Sequence, residues 1–212
     1  MNIDAVLFDF DGTLAPNLDL PGMRRDVIEF TQSWGVPSSV WQDHYIVEVI
    51  DASAEWLKSK GAQAEQYYEA AHRIILDIEL AQAEATDPFP GVPAYLRQLK
   101  SAGLKIGVVT RNIREAVLNT YPELLNDVHV LAARDDVTHI KPDPRHLLAC
   151  LNDLGCKPER SAMVGDGALD MSTGQSLGLH CVGVLSGSSD APRLVEAGAD
   201  VVYDIVTEYL PE

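Results

Sequence analysis

Short apolar runs and longer mixed segments alternate along most of the chain. The runs cover residues 5–8, 104–110, 128–133, 161–164, 180–185 and 200–203. Each is too short for a buried helix and lacks a polar alternate face, which suits strands covered on both sides. The segments between them carry helical spacing over 91–102, 113–121, 142–154, 169–177 and 191–197, several closed by a glycine such as Gly103, Gly155 or Gly178. Repeated strand–helix units predict an α/β fold, a parallel sheet with helices on both faces. One stretch breaks the rhythm. Residues 16–88 hold no buried strand and read as three helices: 21–34, opened by Pro21; one capped by Ser38 or Ser39 and stopped at Gly61; and 62–85, halted by Asp87-Pro88. The predicted organisation is an α/β core from 1–15 and 89–212, with an all-helical domain, 16–88, inserted into it.

Composition narrows the function. The 212 residues are 46% hydrophobic and 23% charged, a globular balance, with a formal net charge of −16. That charge argues against nucleic acid and anionic membranes as partners. An anionic substrate would need local capture by a metal and a few cations. No apolar run approaches the ~20 residues of a membrane span. The amino-terminal residues lack the basic region and cleavage pattern of a signal peptide. Cys150, Cys156 and Cys181 fit no metal-ligand spacing and read as reduced residues of a cytoplasmic protein.

The candidate chemistry collects where strands end. The first run continues as AVLFDFDGTL, placing Asp9 and Asp11 one residue apart, followed by Gly12 and Thr13. In open α/β sheets ligands bind at the carboxyl ends of strands. Two close carboxylates favour a hard divalent cation between them, and Gly12 lets the backbone turn and offer N–H groups to an anion. Asp and Gly are also ordinary turn formers, so this stretch gains weight from the others. Thr110 ends the second run and is followed by Arg111 and Asn112. The hydroxyl and guanidinium suit phosphoryl oxygens, although Thr110 or Asn112 could equally cap a helix. Lys141 precedes a proline-opened helix in a stiff loop. There it can neutralise the carboxylates, whereas most lysines are solvated. Asp166 and Asp170, four apart, share one face of a helix start, a position that also suits capping aspartates.

In this order the pieces resemble the haloacid dehalogenase superfamily of aspartate-nucleophile phosphotransferases. Asp9-x-Asp11-Gly12-Thr13 matches its first motif, Thr110 the second, Lys141 the third, and Gly165-Asp166 with Asp170 the fourth. The helical block falls where the phosphoglycolate phosphatase and β-phosphoglucomutase subgroup carries a helical cap over a Rossmann-like core. The resemblance implies Asp9 as nucleophile, Asp11 as general acid and base, and Thr110 and Lys141 as catalytic partners. It implies Mg2+ held by Asp9, the Asp11 carbonyl and Asp166, with Asp170 beside them. Gly12, Thr13, Thr110, Arg111, Asn112 and Lys141 would bind the phosphoryl group. The expected activity is a Mg2+-dependent phosphatase for a small phosphorylated metabolite, in a monomer or weak homodimer. A phosphomutase or a non-catalytic binding protein on the same fold are the alternatives. Phosphonate cleavage is disfavoured because that branch needs a cap lysine and usually lacks the second aspartate. Dehalogenation has no use for the metal-site carboxylates. Within the helical block, Arg24, Arg25, Trp41, His44, Tyr45 and Arg73 are candidate leaving-group contacts, and Trp41, His44, Tyr45 and Glu48 are expected on one helical face. Ala15-Pro16-Asn17 after DGTL, and Arg111 where Ser or Asn is commoner, depart from the family pattern at the rim of the site.

Overall fold

The computed structural model describes residues 3–211. Six strands form one sheet in which every pairing is parallel: β1 (Ala5–Phe8), β2 (Lys105–Val109), β3 (Val130–Ala132), β4 (Ser161–Gly165), β5 (His180–Val184) and β6 (Val201–Tyr203). Their spatial order is β3-β2-β1-β4-β5-β6, so the chain reverses its direction of travel at β1. The predicted α/β class with a Rossmann-like parallel sheet is the observed one.

Alternation along β1 sends Val6 and Phe8 to one face and Ala5 and Leu7 to the other, and all four are fully buried. Phe8 meets Tyr95, Leu96 and Leu99 of α4 (Val92–Ser101) within a cluster that also holds Ile106, Val108, Val164 and Val182. Leu7 packs with Leu147, Cys150 and Leu151 of α7 (Arg145–Leu154). Each such side chain contributes about 1.5–3 kcal/mol by leaving water. That burial on both faces fixes the level at which the strands end. Phe8 is in register with Val108 on one side and Val164 on the other. Asp9 therefore stands level with Val109 and Gly165, and Thr110 and Asp166 sit one step beyond, all at the carboxyl edge.

The connecting helices differ from expectation at their ends. The segment 113–121 is a shorter α5 (Arg114–Thr120), followed by a one-turn α6 (Leu124–Asp127). Helix α7 begins at Arg145 rather than at Pro142. Helices α8 (Ala168–Ser176) and α9 (Ala191–Glu196) lie close to their predicted places.

Contacts divide the chain into two compact units, Met1–Leu18 with Ala83–Glu212, and Asp19–Gln82. The second unit is helical and its limits lie inside the expected 16–88. Asp19 accepts the Gly22 N–H (3.0 Å) and so caps α1 (Leu20–Ser33), while its own N–H donates to Gln82 (3.2 Å). Tyr67 of α3 (Ala64–Ala83) anchors the interior, stacked on Phe30 and sharing a hydrogen bond with Thr31 (2.7 Å). The single helix expected from Ser38 to Lys60 is two elements. A turn of 3-10 helix, Ser38–Val40, is followed by α2 (Ile46–Ser59). Arg24 holds the intervening loop open by donating to the carbonyls of His44 (2.6 Å) and Gln42 (3.2 Å). Trp41, His44 and Tyr45 therefore precede α2 and share no helical face with Glu48; Trp41 is buried and Tyr45 exposed.

Candidate active site

The sheet register delivers four acidic or basic groups to one place. Asp9 extends β1 by one residue, its N–H donating to Val164 of β4 (2.9 Å). The Lys141 ammonium, only 2% exposed, donates to Asp9 Oδ1 (2.7 Å) and to Asp170 Oδ1 (2.6 Å). Asp170, in the first turn of α8, is fixed from its other oxygen by the Gly167 N–H (3.1 Å). Its capping role and its place in the site thus belong to the same side chain. Asp166 accepts from the Ser188 N–H (2.6 Å) and the Thr13 hydroxyl (3.4 Å). Oxygens of Asp9, Asp166 and Asp170 all lie within 4.8 Å of one another.

Charge accounts for what such a cluster wants. Burial, and then the neighbouring Asp170, Asp166 and Asp11, push the Asp9 carboxyl well above the usual aspartate range against the pull of Lys141. Burial followed by Asp170 raises Asp166 as well. Burial would drive the Lys141 ammonium down, but the charges and hydrogen bonds of Asp170 and Asp9 outweigh it and hold it above the ordinary lysine value. Three carboxylates face one fixed cation, so negative charge is in excess by two. All three donors are hard oxygens, and the set fits a hard divalent cation.

Asp11 points elsewhere. Its carboxylate accepts from Asn112 Nδ2 at 3.1 and 3.2 Å and from the Thr110 hydroxyl at 3.4 Å. The Ile113 N–H donates to Asn112 Oδ1 (2.8 Å), which sets the direction of the amide, and the Asn112 N–H donates to Thr110 Oγ1 (3.0 Å). The loop after β2 is thus a cradle for one carboxylate.

Several expected phosphate ligands are otherwise engaged. The Gly12 N–H, read as an anion donor, closes the turn onto the Ala15 carbonyl (2.7 Å), and the Thr13 N–H turns back to Phe10 (3.2 Å). Gly12 is required for a different reason. Its φ is +85°, and a Cβ there would lie 2.6 Å from Asp166 Cγ. Asn112 spends its amide on Asp11. Arg111 donates through Nη1 to the Lys141 carbonyl, and the Arg134 guanidinium in turn holds the Arg111 carbonyl (2.7 Å). In the helical unit Arg25 pairs with Asp26 (3.2 Å).

Two parts of the site escaped sequence reading. The loop after β5 supplies the Ser188 N–H to Asp166, and the Ser186 hydroxyl donates to the Gly12 carbonyl (2.7 Å). At Gly187 a Cβ would fall 2.5 Å from Asp166 Cβ. The signal was present in Ser186-Gly187-Ser188-Ser189 following a buried strand. His146, fully buried, accepts the Lys141 N–H at Nδ1 (3.1 Å). No neighbouring motif marked it, because a histidine on a helix reads as core.

Comparison with known proteins decides the family. A family model described as haloacid dehalogenase-like hydrolase matches residues 3–178. The chain belongs to that family. Among curated relatives, an N-acetylmuramic acid 6-phosphate phosphatase of Pseudomonas aeruginosa is 32% identical, covering 96% of this chain and 92% of its own. A phosphoglycolate phosphatase of Yersinia pseudotuberculosis is 27% identical over 99% of this chain and 92% of its own. A β-phosphoglucomutase structure from Clostridium difficile superposes with a TM-score of 0.71 at 19% identity, covering 98% of this chain and 93% of that one, a likeness of fold. The expectation of a phosphatase within this family agrees with the match and the relatives. No helix among the described residues is long and apolar enough to cross a membrane.

Proposed function

We propose that the protein is a Mg2+-dependent phosphatase that hydrolyses a small phosphorylated metabolite through an aspartyl-phosphate on Asp9. The observation that carries this reading is the placement of Asp9. It ends a central buried strand, ion-paired to Lys141, in one cluster with Asp166 and Asp170.

A carboxylate oxygen of Asp9 forms a bond to phosphorus as the ester P–O bond breaks. Asp11 gives its proton to the departing oxygen, then takes one from the water that attacks phosphorus and releases inorganic phosphate. The Lys141 ammonium, fixed by Asp9 and Asp170, neutralises the nucleophile and meets charge on the phosphoryl oxygens without reorganising. Thr110 and Asn112 orient Asp11. Asp9, Asp166 and the Asp11 carbonyl would hold Mg2+, with Asp170 beside them. The ion supplies positive charge to the phosphoryl oxygens. The helical unit 19–82 is inserted between Asp11 and Thr110 in sequence, where the phosphoglycolate phosphatase and β-phosphoglucomutase subgroup that the motifs resemble carries its cap.

Substrate choice starts from the relatives. Phosphoglycolate, N-acetylmuramic acid 6-phosphate and a generic aryl phosphate are incubated with protein, with and without Mg2+, and phosphate release is measured. Release that needs Mg2+ and vanishes in Asp9→Asn is expected. Folded protein releasing nothing at saturating Mg2+ would sink the reading, and release by Asp9→Asn near the wild-type rate would remove the covalent step.

A further inference from the structure

His146 occupies a junction that the mechanism above does not use. It lies in the first turn of α7, fully buried, with both ring nitrogens engaged. Nδ1 faces the Lys141 N–H at 3.1 Å and Nε2 faces the Ala132 carbonyl at 3.0 Å. A backbone N–H can only donate, so Nδ1 is an acceptor. The proton of the neutral ring therefore sits on Nε2 and is donated to Ala132. That same Ala132 carbonyl, at the end of β3, receives the Thr110 N–H (3.1 Å). One imidazole thus ties the main chain of Lys141 to the strand end that holds Thr110. Arg111 grips the opposite side of the same residue, donating to the Lys141 carbonyl.

We infer that His146 is a positioning residue for catalysis, setting where the Lys141 ammonium stands relative to Asp9 by accepting the Lys141 N–H. This assignment rests on the phosphatase reading. The geometry gives the reason for an imidazole. The Lys141 ammonium is buried and held by both Asp9 and Asp170 at 2.7 and 2.6 Å, so a shift of its backbone would lengthen or break one of these contacts. Burial, and then Lys141 itself, lowers the His146 pKa to about 4, so the ring is neutral and keeps its acceptor at Nδ1 near neutral pH. The charged groups that act on it are Lys141, Arg111 and Asp136. A misplacement near 1 Å can cost about 100-fold in rate, which is the scale at which such a brace matters.

Two substitutions separate this role from plain core packing. His146→Asn places an amide oxygen near the Nδ1 position and restores the acceptor for Lys141 while losing the bond to Ala132. His146→Gln places an amide nitrogen near the Nε2 position and restores the bond to Ala132 while losing the acceptor. With wild type turning over an aryl phosphate, Asn is expected to keep kcat within about threefold, and Gln to lose about tenfold or more with KM little changed. Melting curves of both confirm a folded state, and hydrogen exchange at the Lys141 amide is expected to be slow in wild type and Asn and faster in Gln. Gln matching wild type in kcat overturns the inference and leaves the phosphatase reading intact. Asn and Gln losing kcat equally, with equal exchange at Lys141, reduces His146 to packing. A wild type without turnover overturns the phosphatase reading and with it the catalytic role, and the exchange rates then decide the hydrogen bond alone.

Discussion

In the proposed mechanism two donors to the Asp11 carboxylate, the Asn112 amide and the Thr110 hydroxyl, set a narrow condition for proton transfer. Asn112 offers both amide-facing contacts from a buried position, and Thr110 adds a hydroxyl. Asn112→Ala removes the larger part of that cradle without touching Asp9 or Lys141. Because a positioned acid–base group contributes about 10²–10⁴-fold, the variant is expected to lose about tenfold or more in kcat, with KM little changed. Asn112→Asp, which sets a like charge against Asp11, should be worse than Ala. Steady-state kinetics on an aryl phosphate settle the ranking, and a larger effect on KM than on kcat would return Asn112 to the phosphate-binding role expected from sequence. At Lys141 the argument concerns stability. Lys141→Met leaves Asp9 and Asp170 facing each other without their buried partner, a loss of about 3–5 kcal/mol for a broken buried pair. Urea denaturation without divalent cation measures it, and a variant as stable as wild type would mean that the pair contributes nothing.

What could be read in the sequence differs by element. The strands were legible because burial on both faces leaves a short, uniformly apolar signature, as in β1, and because polar residues mark the carboxyl ends. Asp9, Thr110 and Asp166 were found that way, Asp170 by its spacing from Asp166 and Lys141 by its proline-flanked loop, and the structure brings them to one edge. The break before α2 was not legible, because it depends on Arg24 reaching the carbonyls of Gln42 and His44, 18 and 20 residues further along the chain. The engagement of Asn112 with Asp11, and of the Gly12 N–H with Ala15, was likewise hidden, since spacing reports which residues meet but not which donor meets which acceptor. Helix α7 gives a prediction of its own through His146. Its folded pKa is lowered from 6.5 to about 4, so between those values the unfolded chain binds a proton that the native protein refuses. Stability from this residue is full above about pH 6.5 and is lost as pH falls toward 4, up to roughly 3 kcal/mol. His146→Asn carries no titrating ring, so the wild-type advantage over it should shrink between pH 7 and 4.5. Denaturation midpoints at matched pH test this, and a constant difference would show that the ring is not held neutral by the fold.

Across the whole molecule, the net charge of −16 and the site's own excess of carboxylates act in the same direction. Both oppose an incoming phosphate, and both are relieved by a bound divalent cation. General relief by ions around a surface saturates with ordinary salt, because exposed charges are screened beyond about 8–10 Å at physiological ionic strength. Relief inside the cluster of Asp9, Asp166 and Asp170 does not, since Asp166 and Asp170 are buried and Asp9 is mostly so. Mg2+ added at constant ionic strength is therefore expected to raise the melting temperature, by an amount equivalent to about 2.7 kcal/mol when its concentration reaches 100 times its dissociation constant. Asp166→Asn keeps an oxygen for the Ser188 N–H but removes one charge from the cluster, and should lose most of that rise while its melting temperature without Mg2+ changes little or increases. The control is monovalent salt at equal ionic strength, which should shift wild type and variant alike. An equal Mg2+ response in the two proteins would assign the effect to the acidic surface, and the three carboxylates would then be stabilised by the protein's own donors, Lys141 for Asp9 and Asp170 and the Ser188 N–H for Asp166.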